Sequence, residues 1–412
     1  MKYGLIGGKL GHSFSKTIHE KIRDIEYELK ELSEKELEAF MKEKAFMGIN
    51  VTIPYKTKVI PYLDYIDEAA EKIGAVNTIV NRDGKLYGYN TDFDGMKMLI
   101  EKSGFVYKNK KVLILGTGGT ARTARAVAEF LGAKAVINVG RTKGVSENYT
   151  DYDNVYTLHC DADYIINTTP LGMYPDCESY AVDVSAFPKL QGVFDAVYNP
   201  LRTRLCQKAE ACGVKSTAGL YMLVAQAVLS SQLFMGENPE TEKITDEVFY
   251  EILREKQNIV LIGMPGSGKT TVGKALSEKT EKVFVDTDDL IKEKYGDING
   301  IFRNYGEDYF RDREEEAVKK AASESGCVIA TGGGAILRKD NILRLRQNGK
   351  VFFLDRPLED ILPTDDRPLS RDREALQKRY NERYGIYKAA ADEIISVDGS
   401  IDDTVRKIME LI

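Results

Sequence analysis

Two segments of this 412-residue chain combine glycine, hydroxyl and small residues at spacings that suit the binding of phosphate groups. They are Gly116-Thr117-Gly118-Gly119-Thr120-Ala121 and Gly263-Met264-Pro265-Gly266-Ser267-Gly268-Lys269-Thr270, and each follows a strongly apolar stretch. Glycine lets backbone N–H groups approach a phosphate at the positive end of the next helix. Because the two segments differ in design, they predict two phosphate ligands and therefore two enzymatic sites in one chain.

The first segment has the order that is typical of dinucleotide binding. A buried strand is predicted over Lys111–Leu115, the G-x-G-G-x-A turn follows, and a helix is predicted over residues 122–131. Where an NAD enzyme places a carboxylate for the ribose, the end of the next strand carries Arg141, Thr142 and Lys143. A guanidinium pairs with a 2′-phosphate, so NADP is favoured over NAD. The alternative is a plain tight turn with a solvated Arg141.

The second segment is a P-loop, G-x-x-x-x-G-K-T, between a strand predicted over Asn258–Ile262 and a helix predicted over residues 271–280. Lys269 would neutralise the β and γ oxygens of a nucleoside triphosphate, and the Thr270 hydroxyl would ligate Mg²⁺. The residues expected to bind ATP are Gly263, Gly266, Ser267, Gly268, Lys269, Thr270 and Thr271. Asp286 and Asp288 follow a strand predicted over residues 283–285, and these carboxylates suit a metal's hydration shell and a substrate hydroxyl.

Four clusters in the first 102 residues place hydroxyl, amide and ionic groups at predicted strand ends or helix starts. They are residues 11–16 (GHSFSK), 50–56 (NVTIPYK), 74–78 (GAVNT) and 90–95 (NTDFDG). Such groups suit a polyhydroxylated anionic substrate, and a lysine with an aspartate can form a proton-transfer pair. The ordinary alternatives are that Ser13 or Ser15 caps a helix starting near residue 16, that Asp92 caps one starting near residue 94, and that Lys56 is a solvated lysine.

These clusters, with Asp195-Ala196-Val197-Tyr198-Asn199-Pro200, closely resemble shikimate dehydrogenase from residue 1 to about residue 250. The resemblance implies reversible hydride transfer from NADPH to the 3-keto carbon of 3-dehydroshikimate. It implies that Lys56 is the preferred proton donor and that Asp92 holds its geometry and charge.

The same resemblance implies the residues around each ligand. Those implied for the substrate are Ser13 and Ser15 at the carboxylate, Thr52, Asn77 and Gln226 at the hydroxyls, and Tyr198 in the pocket. Those expected at NADP are Gly116, Gly118, Gly119, Thr120, Ala121, Arg141, Thr142, Met173 and Gly219. The family commonly has Asn-Arg-Thr after the second strand, whereas Gly140 replaces the asparagine here, and residues 141–167 form a shorter segment than usual.

Downstream of the P-loop, the chain resembles shikimate kinase over nearly all of residues 257–412. The resemblance is carried by Phe310-Arg311-Asp312-Arg313-Glu314, Thr331-Gly332-Gly333-Gly334 and Asp366-Arg367-Pro368-Leu369. It implies that Asp288 holds and activates the 3-hydroxyl of shikimate, that Asp286 and Thr270 lie at the metal, and that Arg367 reaches the γ-phosphate. The implied carboxylate site consists of Arg311, Arg383, Gly332, Gly333 and Gly334. Arg313 is expected to be a surface cation, and Pro363 replaces a lid arginine that is common in the family.

Composition restricts the other possibilities. The net charge is −6, and lysine and arginine are interspersed with acids, which argues against a nucleic-acid-binding protein. Five scattered cysteines and three histidines lack metal-ligand spacing, so reduced thiols are expected. The apolar stretch 218–235 is predicted to be a buried helix rather than a membrane span. We expect a cytoplasmic protein with small-molecule partners and no membrane contact, and the oligomeric state stays open.

The alternation of strands and helices predicts an α/β architecture in three parts. A substrate-binding domain is expected over residues 1–102, completed by a helical region at 219–250, with a Rossmann-like NADP domain over 103–218 and a P-loop kinase domain with a parallel sheet over 257–412. The implied function is reduction of 3-dehydroshikimate followed by phosphorylation of shikimate. A metabolite sensor or regulator with one activity lost is an alternative, although Lys56, Asp92, Lys269 and Asp288 are intact. A quinate enzyme that uses NAD is disfavoured by Ser15 and Arg141.

Overall fold

A computed structural model describes residues 1–11, 13–236, 240–361 and 373–412. The chain divides into two compact units, Met1–Ile252 and Leu253–Ile412. The observed sheets are mixed or parallel and are accompanied by helices, so the predicted α/β class is confirmed. The finer limits predicted within the first unit stay predictions.

The first sheet belongs to residues 1–102 of the first unit. Its strands and accompanying helices are β1 Tyr3–Gly7, α1 Ser15–Ile22, β2 Tyr27–Glu31, α2 Glu34–Glu43, β3 Gly48–Val51, β4 Tyr65–Ile66, α3 Glu68–Ile73, β5 Thr78–Arg82, β6 Lys85–Tyr89 and α4 Thr91–Lys102. The strand order is β2-β1-β3-β5-β6-β4. Strands β1 and β3 are parallel, so the loops that follow them meet: Thr52 N–H donates to the Ile6 carbonyl at 3.0 Å and Gly8 N–H to that of Ile53 at 3.1 Å.

The second sheet contains the first glycine loop. Its elements are β7 Lys111–Leu115, α5 Gly119–Phe130, β8 Ala135–Gly140, β9 Val145–Ser146, β10 Tyr149–Asp151, α6 Val155–Leu158, β11 Tyr164–Asn167, β12 Gly192–Asp195, α7 Arg204–Ala211 and β13 Lys215–Ala218. The order is β13-β12-β11-β7-β8-β10-β9, and only β9 pairs antiparallel within the described residues. Numbered along the chain, the parallel strands read 3-2-1-4-5-6, the order of dinucleotide-binding sheets, whose ligands lie at the carboxyl ends of the strands.

The short connection between β8 and β10 explains the reduced length of this region. Residues 141–148 contain β9 instead of a crossover helix. Two further helices, α8 Leu220–Met235 and α9 Thr241–Lys256, follow the sheet. Helix α8 is largely buried and packs on α4, as the apolar stretch predicts. Within the described residues, no helix is both long and apolar enough to cross a membrane.

The second unit is built on a parallel sheet with the order β15-β16-β14-β17-β18. Its elements are β14 Asn258–Ile262, α10 Lys269–Thr280, β15 Val283–Asp286, α11 Thr287–Tyr295, α12 Ile298–Ser323, β16 Cys327–Ala330, α13 Lys339–Asn348, β17 Gly349–Asp355, α14 Arg373–Ala390, β18 Glu393–Ser396 and α15 Ile401–Met409. Every residue of β14 is buried, as expected for a central strand covered on both faces. Because β14, β15 and β16 are parallel, the P-loop after β14 and the loops after β15 and β16 lie at one edge of this sheet.

Candidate active sites

A lysine and an aspartate meet where the loop after β3 passes the first turn of α4. Lys56 Nζ lies 2.5 Å from Asp92 Oδ2, and the two side chains are only 18% and 10% exposed. The Lys56 carbonyl accepts the Val76 N–H at 2.8 Å, which fixes the loop. Asn90, not Asp92, caps α4 by accepting the Phe93 N–H. The interpretations of Asp92 as a cap and of Lys56 as a solvated lysine are therefore wrong, and the two residues form a shielded ion pair.

Asn77 is held in one orientation beside this pair. Its Oδ1 accepts the Thr91 N–H at 2.8 Å, and its Nδ2 donates to Thr91 Oγ1 at 3.0 Å and to Gln226 Oε1 at 3.4 Å. Behind them, Ser230 Oγ lies 2.8 Å from Thr78 Oγ1 and 3.0 Å from Thr91 Oγ1. This buried network fixes which amide atoms can face a substrate hydroxyl.

Gly95 brings Gln226 to this site, because it lets α8 approach α4 closely. A Cβ at Gly95 would lie 2.9 Å from the Met222 carbonyl oxygen and 3.0 Å from the Gln226 backbone nitrogen. Any side chain at this position would push the helices apart. The predicted hydroxyl ligands Asn77 and Gln226 therefore converge through helix packing, although they are 149 residues apart in sequence.

The predicted carboxylate ligands lie at the start of α1. Phe14 is the N-cap residue and makes no side-chain cap bond, and the helix begins at Ser15. Ser13 Oγ accepts the Ser15 N–H at 3.3 Å, so this hydroxyl also helps to order the helix start. The Phe14 ring packs on that of Tyr198 with centroids 5.4 Å apart. Tyr198, whose pKa is raised by burial, is thus placed near both serines, while Thr52 is half-buried after β3.

The first glycine loop leaves open space at the start of α5. Gly116 has a φ of 115°, and a Cβ there would lie 2.7 Å from a threonine hydroxyl. Gly118 is the N-cap, and the helix starts at Gly119, three residues before the predicted start. A Cβ on either residue would meet no atom within 4 Å. Thr120 is half-buried and Ala121 is buried, so the backbone N–H groups of the loop are accessible to a pyrophosphate.

The basic residues after β8 are exposed; Lys143 pairs with Asp153, and a tyrosine holds the backbone between Arg141 and Lys143. Tyr149 in β10 donates its hydroxyl proton to the Thr142 carbonyl at 2.6 Å. A Cβ at Gly140 would lie 2.6 Å from the same hydroxyl oxygen. Tyr149 therefore occupies the space where a side chain at position 140 would lie, which explains the glycine. Arg141 is left at the surface, at the carboxyl end of its strand.

Asp195 orders the loop that carries Tyr198. Its Oδ1 accepts Asn167 Nδ2 at 2.9 Å and the Val197 N–H at 3.0 Å, and its Oδ2 accepts the Thr203 hydroxyl at 2.7 Å. Burial raises the pKa of Asp195 to about 6, although these hydrogen bonds act in the opposite direction. The loop is thus fixed by a buried and fully hydrogen-bonded carboxyl group.

Two further predicted pocket residues lie in loops at the same edge of the sheet. Gly219 directly follows β13 and caps α8, and a Cβ there would clash with the Ala196 carbonyl oxygen. Met173 follows β11 and is 45% exposed. Both occupy the carboxyl ends of parallel strands, where dinucleotide ligands lie.

In the second unit, the P-loop wraps around the amine of Lys269. This side chain is buried, and its Nζ donates to the carbonyl oxygens of Gly263 and the next residue, both at 2.9 Å. Gly263, Gly266 and Gly268 have φ values of 151°, 88° and 96°, which residues with side chains rarely adopt. Helix α10 begins at Lys269, two residues before the predicted start. Ser267 is fully buried, and its Oγ has no hydrogen-bond partner in the described part of the chain.

A hydroxyl and two carboxylates meet beside the P-loop. Thr270 Oγ1 donates to Asp286 Oδ2 at 2.8 Å, and Thr271 is exposed next to it. Asp286 caps α11, and its Oδ1 accepts the Asp288 N–H at 2.9 Å. Burial, and then the negative charge of Asp286, raise the pKa of Asp288. The local electrostatics therefore favour a protonated Asp288 more than bulk water does.

Arg311 is buried between two glutamates of its own helix. Its Nε and Nη2 donate to Glu307 Oε1 at 3.2 and 2.8 Å, and its Nη1 donates to Glu314 Oε2 at 2.7 Å. Glu314 is 1% exposed, and among the described residues its Oε1 has no hydrogen-bond partner. Burial raises the pKa of Glu314. Arg313 instead donates to the Tyr295 hydroxyl at 3.2 Å.

The three glycines at residues 332–334 make room for these groups after β16. A Cβ on Gly332 would lie 2.6 Å from Asp288 Oδ1, and a Cβ on Gly334 would clash with Arg311 Nη1. The Gly333 carbonyl accepts hydrogen bonds from Arg383 Nη1 at 3.0 Å and from the Tyr387 hydroxyl. The glycines therefore allow the aspartate and both arginines to reach one site.

These groups line a cavity of about 390 Å³. Glu314, Arg356 and Arg379 also line it, although the sequence predicts no role for them. Arg356 directly follows β17, and its Nε is buried without a hydrogen-bond partner among the described residues. Arg379 lies on α14, one turn before Arg383. Glu314 lies within a quoted motif, whereas no motif marks Arg356 or Arg379, because these two arginines reach the cavity only through the packing of distant elements. Arg367, which was predicted to reach the γ-phosphate, lies outside the described residues.

Comparison with known proteins identifies the first unit. The family model described as "Shikimate dehydrogenase substrate binding domain" matches residues 5–79. The shikimate dehydrogenase (NADP(+)) of Clostridium perfringens (strain SM101 / Type A) is 38% identical over 268 residues, which cover 61% of this chain and 98% of that protein. The chain belongs to the shikimate dehydrogenase family. The shikimate dehydrogenase (NADP(+)) of Methanosphaera stadtmanae is 35% identical over 265 residues, 58% of this chain and 93% of that protein.

Solved structures agree with this shikimate dehydrogenase assignment. Shikimate dehydrogenase 1 from Peptoclostridium difficile has a TM-score of 0.56 and 33% identity, and covers 61% of this chain and 98% of its own. Shikimate 5-dehydrogenase from Thermus thermophilus, solved with NADP(H) and shikimate, has a TM-score of 0.54 and 27% identity, over 61% and 99%. The dehydrogenase fold thus extends through both sheets of the first unit.

The second unit matches a different family. The family model described as "Shikimate kinase" covers residues 265–412. The chain therefore joins a shikimate dehydrogenase to a shikimate kinase, and the predicted fusion is confirmed.

Proposed function

We propose that this chain catalyses two successive reactions on one carbocyclic acid. NADPH reduces 3-dehydroshikimate to shikimate, and ATP then phosphorylates shikimate to shikimate 3-phosphate. The observation that carries the proposal is a pair of chemically suited groups in each unit: the Lys56–Asp92 ion pair in the dehydrogenase, and Asp288 beside the P-loop in the kinase. The product of the first reaction is the substrate of the second.

In the dehydrogenase reaction, the oxygen of the reduced carbonyl needs a proton. Lys56 Nζ is the donor we assign, and the hydrogen bond to Asp92 at 2.5 Å fixes its position. The Asn77 amide is fixed by its hydrogen bonds and lies beside Gln226, so these two groups are suited to binding substrate hydroxyls. Because the ion pair is shielded, proton transfer would take place in a site from which most water is excluded.

The remaining predicted ligands of the dehydrogenase lie in the segments that follow β1, β3, β7 and β8. Ser13 and Ser15, near Tyr198, are assigned to the substrate carboxylate, and Thr52 to a hydroxyl. The open space over Gly118 and Gly119 fits a pyrophosphate, and the exposed basic residues after β8 fit a 2′-phosphate. NADPH supplies the hydride when it is bound there.

In the kinase reaction, Asp288 is assigned to accept the proton of the 3-hydroxyl, and its raised pKa makes it a better proton acceptor than an ordinary aspartate. Arg383 and Arg311, with the N–H groups of Gly333 and Gly334, are assigned to the substrate carboxylate. The Gly332 N–H instead donates to Thr287 Oγ1 at 2.9 Å. Lys269 and the P-loop N–H groups are assigned to the ATP phosphates.

The donor set beside the P-loop fits Mg²⁺. Thr270 Oγ1 and Asp286 Oδ2 are hard oxygen ligands, 2.8 Å apart at the edge of the phosphate site. When bound, Mg²⁺ supplies positive charge to the phosphate oxygens. The role of Arg367 at the γ-phosphate stays a prediction.

Two broader points complete the proposal. The five cysteines, all within the described residues, are free thiols, which favours the reducing cytoplasm as the site of action. A regulator with one activity lost receives no support, because Lys56 and Asp92 are paired and Lys269 and Asp288 line their expected sites.

Two single substitutions in the intact chain test the proposal. Lys56→Met should lower kcat for NADPH oxidation by 3-dehydroshikimate by about 10²- to 10⁴-fold and leave shikimate phosphorylation unchanged. Asp288→Asn should lower kcat for shikimate phosphorylation and leave NADPH oxidation by 3-dehydroshikimate unchanged. Matched controls are Lys58→Met, an exposed lysine paired with Glu34, and Asp289→Asn, an exposed aspartate paired with Lys292.

The outcome is clear in either direction. Both controls should retain both activities. The proposal fails if the wild-type protein does not turn over one of the two substrate pairs, or if Lys56→Met keeps a dehydrogenase kcat close to that of Lys58→Met.

A further inference from the structure

Arg379 faces the kinase cavity from the same helix face as Arg383. Arg379, Arg383 and Tyr387 are spaced by four residues on α14, which places them on one face of the helix. Arg383 and Tyr387 both donate to the carbonyl of Gly333. This face is therefore directed at the glycines of the carboxylate site, and Arg379 lines the same cavity one turn earlier.

The formal charges of the assigned carboxylate site balance without Arg379. Arg311 is bound by the carboxylates of Glu307 and Glu314, so together with Arg383 the cluster contains two cations and two anions. Such a cluster offers hydrogen bonds to a substrate carboxylate but no net positive charge. Arg379 brings a further guanidinium group to the cavity that contains this cluster.

Its surroundings place Arg379 within the field of this cluster. Burial, followed by the positive charge of Arg383, lowers the pKa of Arg379, and Arg311 acts in the same direction. The negative charges of Glu307 and Glu382 raise the pKa of Arg379. An anion bound among these guanidinium groups would relieve their mutual repulsion.

The nucleotide side of the cavity has other cations. Lys269 lies within the P-loop. Strand β17 runs beside β14, and a Cβ at Gly263 would lie 2.9 Å from the Leu354 carbonyl oxygen, so Arg356 emerges next to the P-loop. Arg379 lies on α14 one turn from Arg383, and its charged neighbours include Arg311 and Glu307, so we infer that it belongs to the carboxylate side.

We propose that Arg379 is a third substrate-binding arginine of the kinase, contacting the carboxylate of shikimate together with Arg383. A planar guanidinium is suited to this role because it can donate two parallel hydrogen bonds to a carboxylate. The inference rests on the proposed kinase function and adds a residue that sets affinity for the acid group.

The test compares Arg379→Gln with Lys378→Gln in the full-length protein. Lys378 is the exposed neighbour on α14, so its substitution removes the same charge from the same turn. Arg379→Gln should raise KM for shikimate about tenfold, which corresponds to about 1.4 kcal/mol, and leave KM for ATP within about twofold. Lys378→Gln should change neither value. Arg379→Lys should give an intermediate KM for shikimate, because it keeps the charge but loses the planar fork.

A probe without the negative charge checks the mechanism. Shikimate methyl ester should bind wild type and Arg379→Gln with similar affinity. The inference is overturned if Arg379→Gln and Lys378→Gln have the same KM for shikimate, if only KM for ATP rises, or if the ester is weakened as much as shikimate. Absence of phosphorylation by the wild-type protein would refute the proposed function instead, and calorimetric binding of shikimate to the two proteins would still decide the role of Arg379.

Discussion

The buried carboxyl of Asp195 links the stability of the dehydrogenase unit to pH. Its pKa is raised from 3.8 to about 6, mainly because burial disfavours the charged form. The folded protein therefore binds this proton more tightly than the unfolded chain. The resulting stabilisation is complete below about pH 4 and is lost as pH rises through about 6.

Replacing Asp195 with asparagine should remove this pH dependence. The amide oxygen can still accept from Asn167 and the Val197 N–H, and the amide nitrogen can donate to Thr203. The free energy of unfolding of Asp195→Asn relative to wild type should therefore rise by about 2 kcal/mol between pH 4 and pH 7. Urea unfolding of the dehydrogenase unit at several pH values measures this difference.

The control is Asp161→Asn at an exposed carboxylate. The hydrogen bond from Lys111 lowers the pKa of Asp161, so its effect with pH should be small and of opposite sign. A difference between Asp195→Asn and wild type that stays constant with pH would show that Asp195 is not the titrating group.

At the scale of elements, the segments around the glycine loops were predictable from sequence. Strands β7 and β14 have the predicted bounds, because an apolar run, a glycine turn and a helix start fall together in one short segment. Strand β12 ends at Asp195, whose side chain accepts the Val197 N–H where the chain turns. Local chemistry therefore determines these elements.

Other elements carry no such local signal. Strand β2 has four exposed residues out of five, so it shows no alternation that would mark it as a strand. Arg356 and Arg379 enter the kinase site from the end of β17 and from α14. Their meeting depends on tertiary packing, which a single sequence does not display. The motifs locate the reacting groups, and the fold supplies the residues around them.

The close packing of α4 against α8 should be sensitive to a single methyl group. Gly95→Ala would place a Cβ 2.9 Å from the Met222 carbonyl oxygen, and the helices would have to separate. Gln226 would then move away from Asn77. We expect KM for shikimate in the dehydrogenase assay to rise several-fold and the unit to lose about 1–3 kcal/mol of stability.

Steady-state kinetics and thermal unfolding measure these effects. Kinase activity in the same sample should stay at the wild-type level, since Gly95 belongs to the first unit. The control is Glu101→Ala on the exposed face of α4, which should leave KM and stability nearly unchanged. An unchanged KM for Gly95→Ala would mean that the approach of α8 does not position Gln226.

At the scale of the whole molecule, the chain joins two enzymes that handle one intermediate. Each compact unit contains its own proposed reaction centre, Lys56 with Asp92 in one and Asp288 with Lys269 in the other. Covalent linkage raises the rate of the second reaction only if shikimate rebinds at the kinase faster than it diffuses away. For a small, soluble acid released into water, we expect diffusion to be faster.

This expectation predicts that the intact chain forms shikimate 3-phosphate with the same lag as two separate enzymes. An equimolar mixture of the full-length Lys56→Met and Asp288→Asn variants supplies one active unit of each kind on different chains. With 3-dehydroshikimate, NADPH and ATP, and with active sites matched in number, the lag before steady product formation should be the same for wild type and mixture. Added unlabelled shikimate should dilute label from 3-dehydroshikimate equally in both samples. A lag at least twofold shorter for wild type, together with protection from dilution, would instead establish transfer of shikimate between the units, because the two samples differ only in whether both active units share a chain.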